Sequence, residues 1–202
     1  MTARFAAMFA DESTQYLSPP INFRALVGRA WLGLFGWRIE GAIPNVPRAV
    51  VIGAPHTSGW DLPFMLAICF ALGIRVSWFG KHTLFLPPFG WVMRAVGGLP
   101  INRTARGGVV AAAIEQMRNS PSLMLAVAPE GTRQRTDQWK TGFYHIAEGA
   151  KVPLILGFLD YEKKCGGVAG VFFPTGDIDA DIAKIRKVYA GIKGKRPNRF
   201  SE

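Results

Sequence analysis

Residues 48 to 61 read RAVVIGAPHTSGWD, a short apolar run, AVVIGA, stopped by Pro55 and followed at once by polar residues and the helical stretch LPFMLAICFALG. A strand that is apolar at nearly every position is buried on both faces, as in a parallel sheet covered by helices on each side. Outward from this unit the same alternation continues. IRVSWFG, a Leu84 to Val96 segment, VVAAAIEQM, SLMLAVA, GFYHIAEGA and VPLILGFL follow in turn. Continuous apolar strands separated by helical stretches predict an α/β fold with a mostly parallel central sheet flanked by helices. VPLILGFLDY and VAGVFFP flank EKKCGG, which predicts a hairpin and an antiparallel addition to that sheet. A last helix is expected from Ile178 to Ala190, followed by a basic tail.

Upstream, residues 21 to 38, INFRALVGRAWLGLFGWR, space Phe23, Leu26, Val27, Trp31, Leu34, Phe35 and Trp37 near a helical period, with Arg24, Arg29 and Arg38 among them. This predicts an N-terminal amphipathic helix. Such a helix either lies in a bilayer interface or packs on its own domain. At 202 residues the chain fits one domain, with residues 1–45 as an N-terminal arm and helix and Pro19-Pro20 as the boundary of the looser segment. Apolar residues make up 49% and charged residues 19%, which excludes a disordered or coiled-coil chain. The net charge of +10 predicts a polyanionic partner: nucleic acid, an anionic membrane surface or phosphorylated small molecules. Two cysteines, Cys69 and Cys165, provide no disulfide framework. The opening MTARFAAMFADESTQY is not expected to act as a secretory signal, since Asp11 and Glu12 interrupt it. The longest uncharged apolar segment, Leu62 to Ile74, falls short of the roughly 17 residues a spanning helix needs.

In open α/β sheets ligands bind outside the carboxyl ends of the strands, so polar residues at strand exits are the first candidates for chemistry. His56 and Asp61 stand at such an exit. Five residues along a helix turn through about 500°, which parts the two side chains, so they meet only if HTSGWD forms a loop or helix entry. In that case Asp61 fixes one imidazole nitrogen and leaves the other as a general base. Alternatively Asp61 caps the following helix and His56 is an ordinary loop histidine. A second exit follows SLMLAVA with Glu130, Gly131, Thr132 and Arg133: the glycine admits close approach of a ligand, and the hydroxyl and guanidinium suit phosphate oxygens. Arg103, after GGLPIN, and Lys81, after IRVSWFG, add two further cations at strand exits.

The order of these motifs resembles the glycerolipid acyltransferase family, whose best-known members are the 1-acylglycerol-3-phosphate acyltransferases. HTSGWD matches that family's His-x4-Asp motif, GGLPINR its glycine-to-arginine motif, PEGTR its Glu-Gly-Thr-Arg motif and VPLIL its proline-led fourth motif, over residues 56 to 156. The resemblance implies that His56 deprotonates an acceptor hydroxyl that attacks the thioester of acyl-CoA or acyl carrier protein, with Asp61 supporting the imidazolium. It further implies that Arg103, Glu130, Gly131, Thr132 and Arg133 line the acceptor site, the arginines taking its phosphate, with Lys81 as another anion contact. The implied acceptor is a lysophospholipid, foremost lysophosphatidic acid, and the implied location is the cytoplasmic face of a membrane, peripherally bound. No cofactor beyond the thioester co-substrate is expected. The chain departs from the family's pattern at Pro55, where asparagine often precedes the histidine, at Ala128, at Gln134, and in lacking a second proline after VPLIL. These departures bear on the choice of acceptor and acyl chain, not on the chemistry.

The other candidates read more plainly. His82 is a capping or anion-binding histidine and His145 a structural one, and neither has metal-ligand spacing, so no metal is expected. Asp177, Asp179 and Asp181 resemble the start of a calcium loop, but Ile182 and Val188 stand where its glycine and glutamate belong, so they are read as acids at a helix N-terminus. Lys184, Arg186, Lys187, Lys193, Lys195, Arg196 and Arg199 form a basic tail, either solvated or in contact with lipid. Three rival functions remain: acyl transfer to another polar lyso-lipid or a glycolipid, a catalytically silent lipid-binding protein of the same fold, and, ranked last, nucleic-acid binding, because no reading element accompanies the charge.

Overall fold

The structure, a computed structural model, describes residues 15–101 and 108–199. Among these residues, seven strands form one sheet: β1 (Arg38–Glu40), β2 (Arg48–Ala54), β3 (Val76–Lys81), β4 (Gly98–Ile101), β5 (Leu123–Val127), β6 (Leu154–Asp160) and β7 (Cys165–Phe172). Their spatial order is β1-β7-β6-β2-β5-β3-β4. Every pairing is parallel except β6 with β7, so β7 and β1 run against the other five strands. The expected parallel sheet and antiparallel hairpin are both present. The hairpin turn is shorter than EKKCGG suggests, because Cys165, Gly166 and Gly167 already belong to β7.

Among the described residues, six α-helices cover the sheet: α1 (Phe23–Leu34), α2 (Asp61–Leu72), α3 (Gly90–Ala95), α4 (Gly108–Asn119), α5 (Gly142–Ala150) and α6 (Ile178–Tyr189). On one face, α4, α5 and α6 close a core around Met117, Phe143, Tyr144, Leu154, Leu156, Ile185 and Tyr189. On the other, α1 and α2 close a second core around Leu32, Trp37, Phe64, Ile68, Leu72, Trp78 and Ile155. Alternate residues of β2 supply the two layers: Val50 and Ile52 enter the first, Ala49 and Val51 the second. This double burial is why AVVIGA carries no polar position.

The N-terminal helix is shorter than the 21 to 38 window. Asn22 caps it by accepting from the Ala25 amide at 2.9 Å, and it ends at Leu34, before Gly36 at φ 69°. The chain then enters β1, a strand of three residues without the apolar run that would have revealed it. Helices α1 and α2 lie antiparallel. Arg24 sits over the Phe70 ring near the start of α1, and Phe35 meets Phe64 at its end. The C-terminal end of α1 therefore lies at the same sheet edge as the N-terminus of α2, where the parallel strands finish.

Candidate active site

Strand β2 ends at Ala54, and the loop Pro55 to Trp60 leads into α2, whose first residue is Asp61. Asp61 does not cap this helix. Its side chain turns back over the loop, where Oδ2 accepts from the amides of Thr57 at 2.8 Å and Ser58 at 2.9 Å and lies 3.1 Å from Nδ1 of His56. The remaining oxygen, Oδ1, accepts from the Tyr161 hydroxyl at 2.9 Å. The loop, not a helical turn, brings histidine and carboxylate together. Asp61 is buried while the His56 side chain remains 30% exposed, so the pair has a protected carboxylate and a reachable imidazole. An acceptor at Nδ1 fixes the proton there and leaves Nε2 as the basic nitrogen.

The exit of β5 adjoins this loop. Glu130 is buried, and its Oε1 accepts from the His56 amide at 3.0 Å, fixing the backbone of the histidine. Its Oε2 is buried and makes no hydrogen bond. Burial raises the Glu130 carboxyl above its ordinary value, with the His56 amide bond acting in the opposite direction. Gly131 stands at φ 63°, a left-handed conformation suited to glycine, and the aliphatic stem of Lys140 lies so close that a Cβ there would be 2.7 Å from Lys140 Cδ. Thr132 Oγ1 accepts from the Gln134 amide at 3.1 Å, within its own turn. Arg133 is exposed and reaches across to the first loop, with Nη1 3.4 Å from the position a Gly59 Cβ would take.

His56, Asp61 and Glu130 to Arg133 thus meet at one place. Lys81 is exposed at the end of β3, with β5 intervening between it and β2. Arg103 lies outside the described residues. His82 and His145 are exposed, the first in the short turn after β3 and the second within α5. Asp177 caps α6 by accepting from the Ala180 amide, while Asp181 is buried and accepts from Tyr144 and Thr175. No group of three or more His, Cys, Asp or Glu that could hold a metal occurs among the described residues.

Two parts of the site escaped the sequence reading. Tyr161 follows β6 directly, so the strand-exit rule that singled out His56 and Glu130 applies to it equally. The other is the segment 193–196, read above as a solvated or lipid-bound tail. That reading needs correction for its backbone: the Lys193 carbonyl accepts from the Tyr161 amide at 2.8 Å, and the Arg196 amide donates to Thr57 Oγ1 at 3.2 Å. A tail with unpaired backbone groups prefers water, but here the buried Thr57 and the end of β6 offer partners.

The acyltransferase family's sequence model matches residues 38–155, more than half of the chain. The chain belongs to the acyltransferase family. Among solved structures it is similar to the 1-acyl-sn-glycerophosphate (LPA) acyltransferase PlsC from Thermotoga maritima, at 19% identity, covering 82% of this chain and 74% of that one, with a TM-score of 0.61. At that identity the likeness speaks for the fold. No curated protein matches the chain. The family match includes His56, Asp61 and Glu130 to Arg133 and stops short of Tyr161 and the C-terminal segment.

Proposed function

We propose that this acyltransferase moves a fatty acyl group from the thioester of acyl-CoA or acyl carrier protein to the hydroxyl of a lysophospholipid, foremost lysophosphatidic acid. The observation that carries the reading is the 3.1 Å contact between His56 Nδ1 and Asp61 Oδ2 inside the family-matched segment. His56 Nε2 takes the proton of the acceptor hydroxyl as its oxygen attacks the thioester carbonyl. The tetrahedral intermediate collapses to an ester, and the departing thiolate takes the proton back from the imidazolium. Asp61, held by its other donors, stabilises the imidazolium between the two transfers. Positioned general-base catalysis supplies about 10²- to 10⁴-fold, and holding hydroxyl and thioester together supplies the larger share. The exposed Arg133, with Lys81 and Arg103 as further cations in this proposal, suits the acceptor phosphate.

The acceptor is amphiphilic, and the surface offers a place to meet it. No helix among the described residues is long and apolar enough to cross a membrane. Helix α1 instead presents Phe23, Leu26 and Leu34 outward, with Ile21 before it. We place the enzyme peripherally on the cytoplasmic face of a membrane, with this helix against anionic lipid. Of the aromatic residues of this stretch, Trp37 is buried and stacks on Phe64 at 4.2 Å and Trp31 packs into the second core, while Phe35 remains exposed.

The test compares wild type with His56→Ala in acyl transfer from acyl-CoA to lysophosphatidic acid and to the same lipid without its phosphate. Transfer should fall at least 10²-fold in the variant while lysophosphatidic acid binding persists. Equal wild-type turnover with and without the acceptor phosphate would reject the lysophosphatidic acid assignment.

A further inference from the structure

The C-terminal segment does more than rest on the dyad loop. Gly194 packs so tightly there that a Cβ would fall 2.6 Å from Thr57 Oγ1, and the backbone bonds on either side tie the segment to both the loop and β6. This anchoring carries Lys195 over the aromatic residues of the site: its Nζ lies 4.5 Å from the centroid of the Trp60 ring and 5.7 Å from that of Tyr161. The two rings give a flexible stem a fixed platform.

Arg133 reaches the same loop at the preceding residue, Gly59. Neither cation forms an ion pair among the described residues. The carboxylates of the site do not neutralise them, since Asp61 is engaged by the dyad loop and Tyr161, and Glu130 is buried behind the His56 amide. Two positive charges that reach adjacent residues of one loop and have no ion pair among the described residues match a doubly charged anion better than a carboxylate. A phosphate monoester, near −2 at neutral pH, has that charge and the acceptor oxygens to bridge both groups.

We infer that Lys195, together with Arg133, binds a phosphate group of a substrate, making the C-terminal segment a wall of the acyl-transfer site although it lies outside the family-matched residues. The inference rests on the acyl-transfer reading for its kinetic test but not for its binding test. Lys195→Met keeps an apolar stem on Trp60 and removes the charge, Lys195→Arg restores the charge, and Lys187→Met, exposed on α6, controls for net charge.

In the full-length protein, Lys195→Met should raise KM for lysophosphatidic acid about ten-fold with kcat within about two-fold, and Lys195→Arg should recover most of the loss. A rise in KM for acyl-CoA alone would assign the phosphate to the donor's nucleotide and still support the site. Unchanged KM values for both substrates, or an equal effect from Lys187→Met, would overturn it. Equilibrium dialysis of lysophosphatidic acid below its micellar concentration, with His56→Ala and with His56→Ala/Lys195→Met, separates the two readings. Weaker binding to the double variant supports the phosphate contact even if wild type transfers no acyl group, and equal binding together with an unchanged KM for acyl-CoA rejects it.

Discussion

Asp61 holds the candidate site together through both oxygens, one tied to the dyad loop and one to Tyr161. Removing the Tyr161 hydroxyl leaves the ring packed against Trp37 and Phe64 but frees Oδ1, so the carboxylate gains a direction in which to rotate. A hydrogen bond to a charged group contributes about 1.5–3 kcal/mol, and part of that reaches the transition state through the imidazole. Tyr161→Phe should therefore lower kcat by roughly ten-fold with little change in KM, as read by steady-state kinetics. Glu130 calls for a stability measurement. Its carboxyl is raised above 4.5, so the folded chain retains a proton that the unfolded chain has released, and stability falls as pH rises from 4.5 through the folded value. Glu130→Gln cannot ionise and keeps an acceptor for the His56 amide. At neutral pH its melting temperature should exceed that of wild type, and the gap should close as pH falls to 4.5 and below, as read by thermal denaturation across that range. The two residues also show what a sequence can disclose. His56 and Asp61 are legible because they share one loop, whereas Tyr161 is 100 residues from the carboxylate it serves, and only the register of β6 beside β2 brings it there.

Helix α1 faces two ways. Ala25, Gly28 and Leu32 are buried against α2, while Phe23, Leu26 and Leu34 point outward with most of their surface exposed. Sequence periodicity registers both apolar faces together, which explains why the helix is legible while its outward residues are not. Gly36 ends the helix and turns Trp37 onto Phe64, and Trp31 packs into the second core, so that of Trp31, Phe35 and Trp37 it is Phe35 that stays exposed. Strand β1 was hidden for a related reason: three residues, RIE, at a sheet edge need no continuous apolar run. The interior strands were plain because burial on both faces leaves them no polar position. If the outward face of α1 docks on lipid, Phe23→Ser with Leu26→Ser should reduce sedimentation with anionic vesicles several-fold. Exposed positions away from caps and cores change stability by about 0.5 kcal/mol or less, so the melting temperature should barely move. Undiminished sedimentation with an intact fold would remove α1 from the docking surface.

Across the whole molecule, the strand exits and the end of α1 share one edge of the sheet. His56, Glu130 and Tyr161 follow the carboxyl ends of β2, β5 and β6, Lys81 is the last residue of β3, and antiparallel packing on α2 brings Leu34 and Phe35 to the same side. The edge that performs chemistry in our proposal therefore carries Leu34 and Phe35, the near end of an apolar face that runs along α1 away from the site to Phe23. The net charge of +10 adds a long-range attraction to anionic lipid, which acts before any apolar contact forms. These two forces respond differently to salt. Raising ionic strength from about 0.1 M to 1 M shortens the screening length from about 10 Å to 3 Å, which weakens attraction between exposed charges and leaves apolar burial intact. Transfer to an acceptor embedded in anionic vesicles should fall steeply over that range, while transfer to the same acceptor in zwitterionic vesicles should fall less and start lower. The fraction of anionic-vesicle activity that survives high salt measures the apolar share of docking, and the Phe23→Ser, Leu26→Ser variant should lose that fraction first. Identical salt profiles on the two kinds of vesicle would place the basic residues' role at the substrate phosphate alone and not at the membrane surface.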